Sequence, residues 1–370
     1  MNLSYFDTPT IEKLPTYSFA DENRFDAHLS AKDYNVAIFG IEEGLNSLEN
    51  SGCKDAPNAI RKHLYALQWN FKNLNVCDLG NVRKGNTVKD RIFAVRDIVA
   101  ELTEQNVVCI VLGGSHDFTV PIFEGLKERS DKLNVSVIDN KIALGRGDND
   151  FNAQSFLYKI LEDKYLHRLE SIAYQTYFVP EYQKEQLKNY NQFGVRVGIV
   201  RSNIQGIEPL LRDSDLVSFN MSAVRQSDAP AYAYANPHGL YGEEACTLSF
   251  YAGWSDRVKA FGMFELNPAF DQNDRSASLA AQTVWHFLEG MNGRAGDYPK
   301  RDIKGYHQYI VQSQVFDDNM VFYRNETNGR YWLEIPTGNN EKEIFACTWQ
   351  EYEETKKGKI PETWLKYYKK

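Results

Sequence analysis

Four short blocks of the 370-residue chain gather side chains able to do chemistry. They are Gly113-Gly114-Ser115-His116-Asp117, Asp139-Asn140-Lys141-Ile142-Ala143, Ser218-Phe219-Asn220-Met221-Ser222 and Glu265-Leu266-Asn267-Pro268. Imidazole and carboxylate groups transfer protons or hold metal ions, while amides and hydroxyls orient what is bound. His116 and Asp117 read either as a catalytic dyad or as a hydrogen-bonded pair at a strand end that serves stability, and we prefer the second reading. Glu265 reads as an internal counter-ion. His238 near Glu243 and Glu244 suggests another metal site, but such a trio in an aromatic, Gly-rich loop is better read as solvated loop residues. The five cysteines (Cys53, Cys77, Cys109, Cys246 and Cys347) form no C-x-x-C pair and read as reduced thiols.

These blocks must be positioned by strand-length apolar runs, each closed by turn residues: Asn35 to Phe39, Val107 to Leu112, Val135 to Ile138 and Leu216 to Phe219. Between the runs lie amphipathic stretches, Asp90 to Leu102 and Ala277 to Leu288. Such alternation predicts a parallel sheet covered by helices, with ligands bound outside the carboxyl ends of the strands. The four blocks fall at those ends. Beyond about residue 300 the pattern changes. Tyr306 to Phe316, Met320 to Arg324 and Tyr331 to Ile335 read as strands, Asn328-Gly329 as a hairpin turn, and Trp349 to Tyr368 as helix interrupted by Gly358 and Pro361. We therefore divide the chain into an α/β domain, 1–300, and a C-terminal β-hairpin and helix appendage, 301–370. The six lysines of the last fifteen residues (356, 357, 359, 366, 369, 370) read as a solvated tail.

In order and spacing the four blocks resemble the arginase, agmatinase and formimidoylglutamase family of ureohydrolases, closest to the formimidoylglutamase branch. Lys54 to Arg61, Asp228-Ala229-Pro230, and Pro237-His238-Gly239-Leu240 before Glu243-Glu244 support the likeness, which spans roughly residues 35 to 295. The resemblance implies a three-layer α/β/α fold with a mostly parallel central sheet. It also implies attack on a guanidinium or formimino carbon by hydroxide generated between two Mn²⁺ ions, held by Gly-Gly-x-His, Asp-x-His-x-Asp and Asp-x-Asp.

Carried over residue by residue, His116 and Asp139 match family ligands. Lys141 stands where the resemblance expects His, Ala143 where it expects Asp, and Asn220 and Ser222 where it expects the two Asp of the third block. Two of six ligand positions thus keep a ligand type. Glu265 matches the residue that grips the cationic end of the substrate in the family. The stretch Asn149 to Phe156 lacks the His that arginases use there for proton transfer. Two dications about 3.5 Å apart repel by roughly 20 kcal/mol at an effective dielectric of 20, more than one carboxylate offsets. We therefore expect no metal and no cofactor. Lys141 is expected to point with Asp139 into the former metal cavity and to pair with Asp139 or Glu265. The expected function is that of a scaffold that has lost binuclear hydrolase activity and binds a protein or ligand. The alternative is a working C–N hydrolase acting on a formimino or guanidino substrate.

The formal net charge of −8 argues against a nucleic-acid binder. No uncharged apolar stretch reaches the roughly 18 residues of a membrane span, and the N-terminus shows no basic-then-apolar leader, so a cytoplasmic protein is expected. Expected partners are a protein docking through residues 301–370, whose aromatic strand face should pack on the domain, and a small cationic ligand at Glu265. A homo-oligomer is left open.

Overall fold

The computed structural model describes residues 3–11, 13–16, 23–145, 151–299, 305–313, 316, 318–337 and 341–368. In chain order it begins with β1 (Phe6–Asp7), β2 (Val36–Gly40), α1 (Ala56–Leu64), β3 (Val76–Val82), α2 (Val88–Glu104), β4 (Val108–Leu112), α3 (Thr119–Leu126) and β5 (Leu133–Ile138). It continues through α4 (Leu157–Leu161), β6 (Leu166–Tyr174), α5 (Glu181–Asn189), β7 (Phe193–Arg196), α6 (Val197–Ser202) and α7 (Glu208–Arg212). Next come β8 (Leu216–Asn220), α8 (Gly242–Trp254), β9 (Ala260–Phe264) and α9 (Arg275–Asn292).

Nine strands form one sheet in the order β1-β3-β2-β4-β9-β8-β5-β6-β7. All neighbours run parallel except β1, which is antiparallel to β3. Alternate residues of a strand point to opposite faces. Val36, Ile38, Val108, Ile110 and Leu112 accordingly enter one apolar layer, with residues of α1, α8 and α9. Ala37, Phe39, Cys109 and Val111 enter the other, with residues of α2, α3 and α4. This is the three-layer α/β/α architecture. Local chemistry sets the helix ends: Thr87 caps α2 by accepting from the Asp90 N–H, and Asp90 returns the bond to Thr87 N–H. Glu243 and Glu244 lie in the first turn of α8 rather than in a loop, and Glu244 accepts from Tyr241 N–H. Acids there complement the helix dipole, which the loop reading overlooked.

A second, antiparallel sheet of four strands follows, β10 (Tyr306–Val311), β11 (Met320–Asn325), β12 (Tyr331–Pro336) and β13 (Lys342–Cys347), with α10 (Trp349–Thr355) and α11 (Glu362–Tyr367) after it. Its aromatic face packs under its own helices: Phe322, Leu333 and Phe345 join Tyr352 and Trp364 in one cluster. The expectation that the aromatic strand face packs on the domain is corrected for this face, because a small sheet with one apolar face needs a covering layer and its own helices supply it. The domain meets Trp332, on the other face of β12, and Phe345 through charge and ring contacts, with Arg168 4.2 Å from the Phe345 ring centroid. Arg212 is buried, pairs with Glu208 at 2.7 Å, donates to Tyr331 O and Cys347 O at 2.8 and 3.1 Å, and lies over the Trp332 ring. Glu343 meets His167 at 3.0 Å and Lys132 at 3.1 Å. These partners sit at the amino ends of β5, β6 and β8, so the appendage lies at the sheet edge opposite the four blocks.

The boundary at 300/301, residues Lys369 and Lys370, and Asn149 lie outside the described residues. Among the described residues no helix is long and apolar enough to cross a membrane.

Candidate functional site

The sheet order sets β4, β9, β8 and β5 side by side, so the blocks that follow them converge on one carboxyl edge. After β4 the chain turns through Gly113 and Gly114, both left-handed at φ +73° and +77°. A Cβ on Gly113 would lie 2.6 Å from Pro57 Cδ, so both the turn and the close approach demand glycine. His116 follows, fully buried.

Around it is a closed polar network. His116 Nδ1 lies 3.2 Å from Asp139 Oδ2, and Asn220 Nδ2 lies 3.0 Å from the same oxygen and 3.1 Å from Nδ1. Ser222 Oγ and the Lys141 N–H donate to Asp139 Oδ1 at 3.1 and 3.2 Å. His116 Nε2 meets Ser218 Oγ at 2.9 Å, which meets Thr119 Oγ1 at 2.6 Å. Burial alone would raise the Asp139 carboxyl, but the hydrogen bond and charge at His116, then the charge of Lys141, outweigh it and hold the group below the ordinary carboxylate value.

Glu265 closes the other side. It is a buried non-glycine residue at φ +66°, the kind of backbone strain that collects at functional sites. Its carboxylate accepts from Ser47 Oγ, from Asn50 Nδ2 at 2.9 Å and from the His116 N–H at 2.9 Å. Burial still leaves its pKa raised despite these donors. Asp117 faces away, accepting from Asn46 Nδ2 at 2.7 Å, so the His116 side chain partners Asp139 and not its sequence neighbour. The reading of His116 and Asp117 as a bonded pair is corrected: successive residues of the short helical turn His116–Phe118 point in different directions.

Asp139, Asn220 and Glu265 line a cavity of about 380 Å³ together with Lys141, Ala143, Ser47 and an aromatic wall of Tyr177, Phe178, Tyr182 and Tyr232. All four blocks thus contribute to one site, His116 from behind it. Lys141 reaches the cavity beside Asp139, and its expected pairing is what departs. Among the described residues its ammonium makes no ion pair with Asp139 or Glu265, and it lies 5.8 Å from the Phe178 ring centroid. The strand ends at Ile138 and the chain bends at Asn140 and Lys141, so the ammonium enters the cavity at its Phe178 wall rather than in contact with the two carboxylates. Ser47, Asn50, Phe178 and Tyr232 were missed. Ser47 and Asn50 follow a strand that was legible, so the carboxyl-edge rule could have found them; nothing in the spacing marks the two aromatics.

A layered parallel sheet with this carboxyl-edge pocket defines a class, and the Arginase family pattern matches residues 34–289: the chain belongs to the arginase family. Among relatives, formimidoylglutamase from Lysinibacillus sphaericus is 25% identical over 288 residues, covering 72% of this chain and 88% of its own. The formiminoglutamase of Trypanosoma cruzi, solved "with Mn2+2", superposes with a TM-score of 0.70 at 21% identity, covering 74% of this chain and 100% of that one. The formimidoylglutamase of Bacillus subtilis gives a TM-score of 0.68 at 18% identity, covering 76% and 97%. The manganese of the solved relative overturns our expectation of no cofactor for a site of this fold.

The residues here that could hold a metal are His116 and Asp139. The 3.2 Å between Nδ1 and Oδ2 is the separation of two donors sharing one divalent ion, each about 2.1 Å from it. Ser222 Oγ adds a neutral oxygen, whereas Asn220 turns its amide nitrogen to both His116 and Asp139 and its oxygen to the Ser222 N–H. Among the described residues no group of three or more His, Cys, Asp or Glu converges. The donor set fits one Mn²⁺ and not the pair.

Proposed function

We propose that this chain is a C–N hydrolase of formimidoylglutamase type, acting on a small linear amidine, either a formimino or a guanidino compound. The observation that carries the reading is the buried pair of carboxylates, Asp139 and Glu265, lining one cavity of small-molecule size. A cationic amidine brought between them satisfies both charges, and the strained, anchored Glu265 is preset for it. Hydrolysis adds water to the amidine carbon, breaks the bond to nitrogen and leaves that nitrogen as an amine carrying the transferred proton. Asp139 and Asn220 hold the attacking water, Glu265 orients the amidine, and the Tyr177–Phe178 wall limits bulk solvent. A bound Mn²⁺ on His116 and Asp139 would supply Lewis-acid activation of that water.

A second reading, binding without turnover, is favoured by one observation: Lys141, Ala143, Asn220 and Ser222 leave Asp139 as the one ionisable carboxylate in the family's ligand positions. Incubation of the protein and Mn²⁺ with N-formimino-L-glutamate and with L-arginine separates the two. Formamide or urea release supports the hydrolase. Saturable binding without product supports the second reading.

A further inference from the structure

The amidine cavity adjoins another. A chamber of about 450 Å³ shares Lys141, Gln154 and Phe178 with it and adds Leu48, Tyr234, Asn140 and the exposed carboxylate of Glu49. We propose that the site takes an amidine or guanidine compound with two further parts: an anionic group, met by Lys141 at the junction, and a bulky apolar arm, seated between Leu48 and Tyr234. The inference rests on the amidine reading of the site and extends it to the substrate class.

Three observations support it. First, the Lys141 ammonium makes no ion pair among the described residues and stands over Phe178, which walls both chambers. A cation so placed complements an anion on a ligand whose other end lies against Asp139 and Glu265. Second, Leu48 is held at φ +53°, ψ −122°, a conformation a branched residue avoids, and is half exposed. The strain keeps an apolar side chain at the chamber wall rather than turned into the core. Third, both walls hang on one residue of the first site. Asn50, which donates to Glu265, accepts from Ala233 N–H beside Tyr234, and Ser47 beside Leu48 also holds Glu265. The second chamber is therefore in register with the first.

The test uses Nα-acetyl-L-arginine, its C-terminal amide and Nα-benzoyl-L-arginine, with affinities measured by calorimetry on the full chain. The benzoyl compound should bind about tenfold tighter than the acetyl compound. The exposed wall variant Tyr234→Ser should remove most of that advantage. Lys141→Gln should weaken the acetyl acid by about tenfold and leave the amide nearly unchanged, a split that a structural role would not produce. Equal affinities for the benzoyl and acetyl compounds, or equal weakening of acid and amide, would overturn the inference while leaving the amidine site standing. Failure of all three compounds to bind would overturn the inference, and failure of N-formimino-L-glutamate and L-arginine as well would overturn the amidine reading with it.

Discussion

Asn220 Nδ2 lies 3.0 Å from Asp139 Oδ2, so a neutral amide donates where a second carboxylate would repel. The contact lets Asp139 stay buried and ionised without a second metal. Asn220→Asp should invert the balance. Without metal it sets two carboxylates against each other and should cost about 1–3 kcal/mol, whereas Mn²⁺ affinity should rise about tenfold or more. Thermal unfolding with and without Mn²⁺ reads both effects. A variant as stable as wild type without metal, and no tighter for Mn²⁺, would contradict this role for the amide.

Glu265→Gln should weaken binding of guanidine and formimino compounds by at least about tenfold, because it removes the buried anion that faces the cation. The fold should lose about 1–3 kcal/mol, since Ser47, Asn50 and the His116 N–H then face a partner that accepts less well. Calorimetric titration beside a denaturant curve separates the two effects. Unchanged affinity would remove Glu265 from the site.

Much of the frame is legible in the sequence. The strands that became β2, β4, β5 and β8 are continuous apolar runs closed by turn residues, and α2 and α9 carry helical spacing. The strand β13 was not: Lys342-Glu343 opens it with charge, and half of its length gains its burial from partners far away in the chain. The pocket was legible in its floor and not in its walls. Blocks at strand ends follow a rule, but the neighbouring order of β4, β9, β8 and β5 is a long-range property, and Phe178 and Tyr232 reach the cavity from a short helical turn and a bend between the main elements. The pairing of Lys141 failed for a local reason: alternation was extended past the last strand residue, and the ammonium stands at the Phe178 wall instead.

The junction with the appendage should be acid-labile. The Glu343 carboxyl is lowered to about 2, chiefly by its hydrogen bond to His167, with Lys132 adding to it against the effect of burial. A folded value below the unfolded one of about 4.3 means that the stabilisation is complete above that pH and is lost as pH falls from about 4 toward 2. Wild type and Glu343→Gln, compared by unfolding from pH 7 to 2.5, should differ at neutral pH and converge in acid. A constant difference across that range would rule out the linkage.

Arg212→Met should cost about 1–3 kcal/mol, because it leaves Glu208 with Arg330, at 3.2 Å, as its one cation among the described residues and leaves Tyr331 O and Cys347 O without their donor. Removal of residues 301–370 exposes the same buried arginine and should lower the unfolding temperature of what remains. An unshifted unfolding temperature in either protein would show that the appendage is not an integral support of the domain.

The most direct measurement is product release by the wild-type protein supplied with Mn²⁺ and N-formimino-L-glutamate or a guanidino acid, beside Glu265→Gln under the same conditions. The account predicts formamide or urea from the wild type, little from the variant, and close to one manganese per chain. Binding without product in the wild type, or product undiminished in Glu265→Gln, would contradict it.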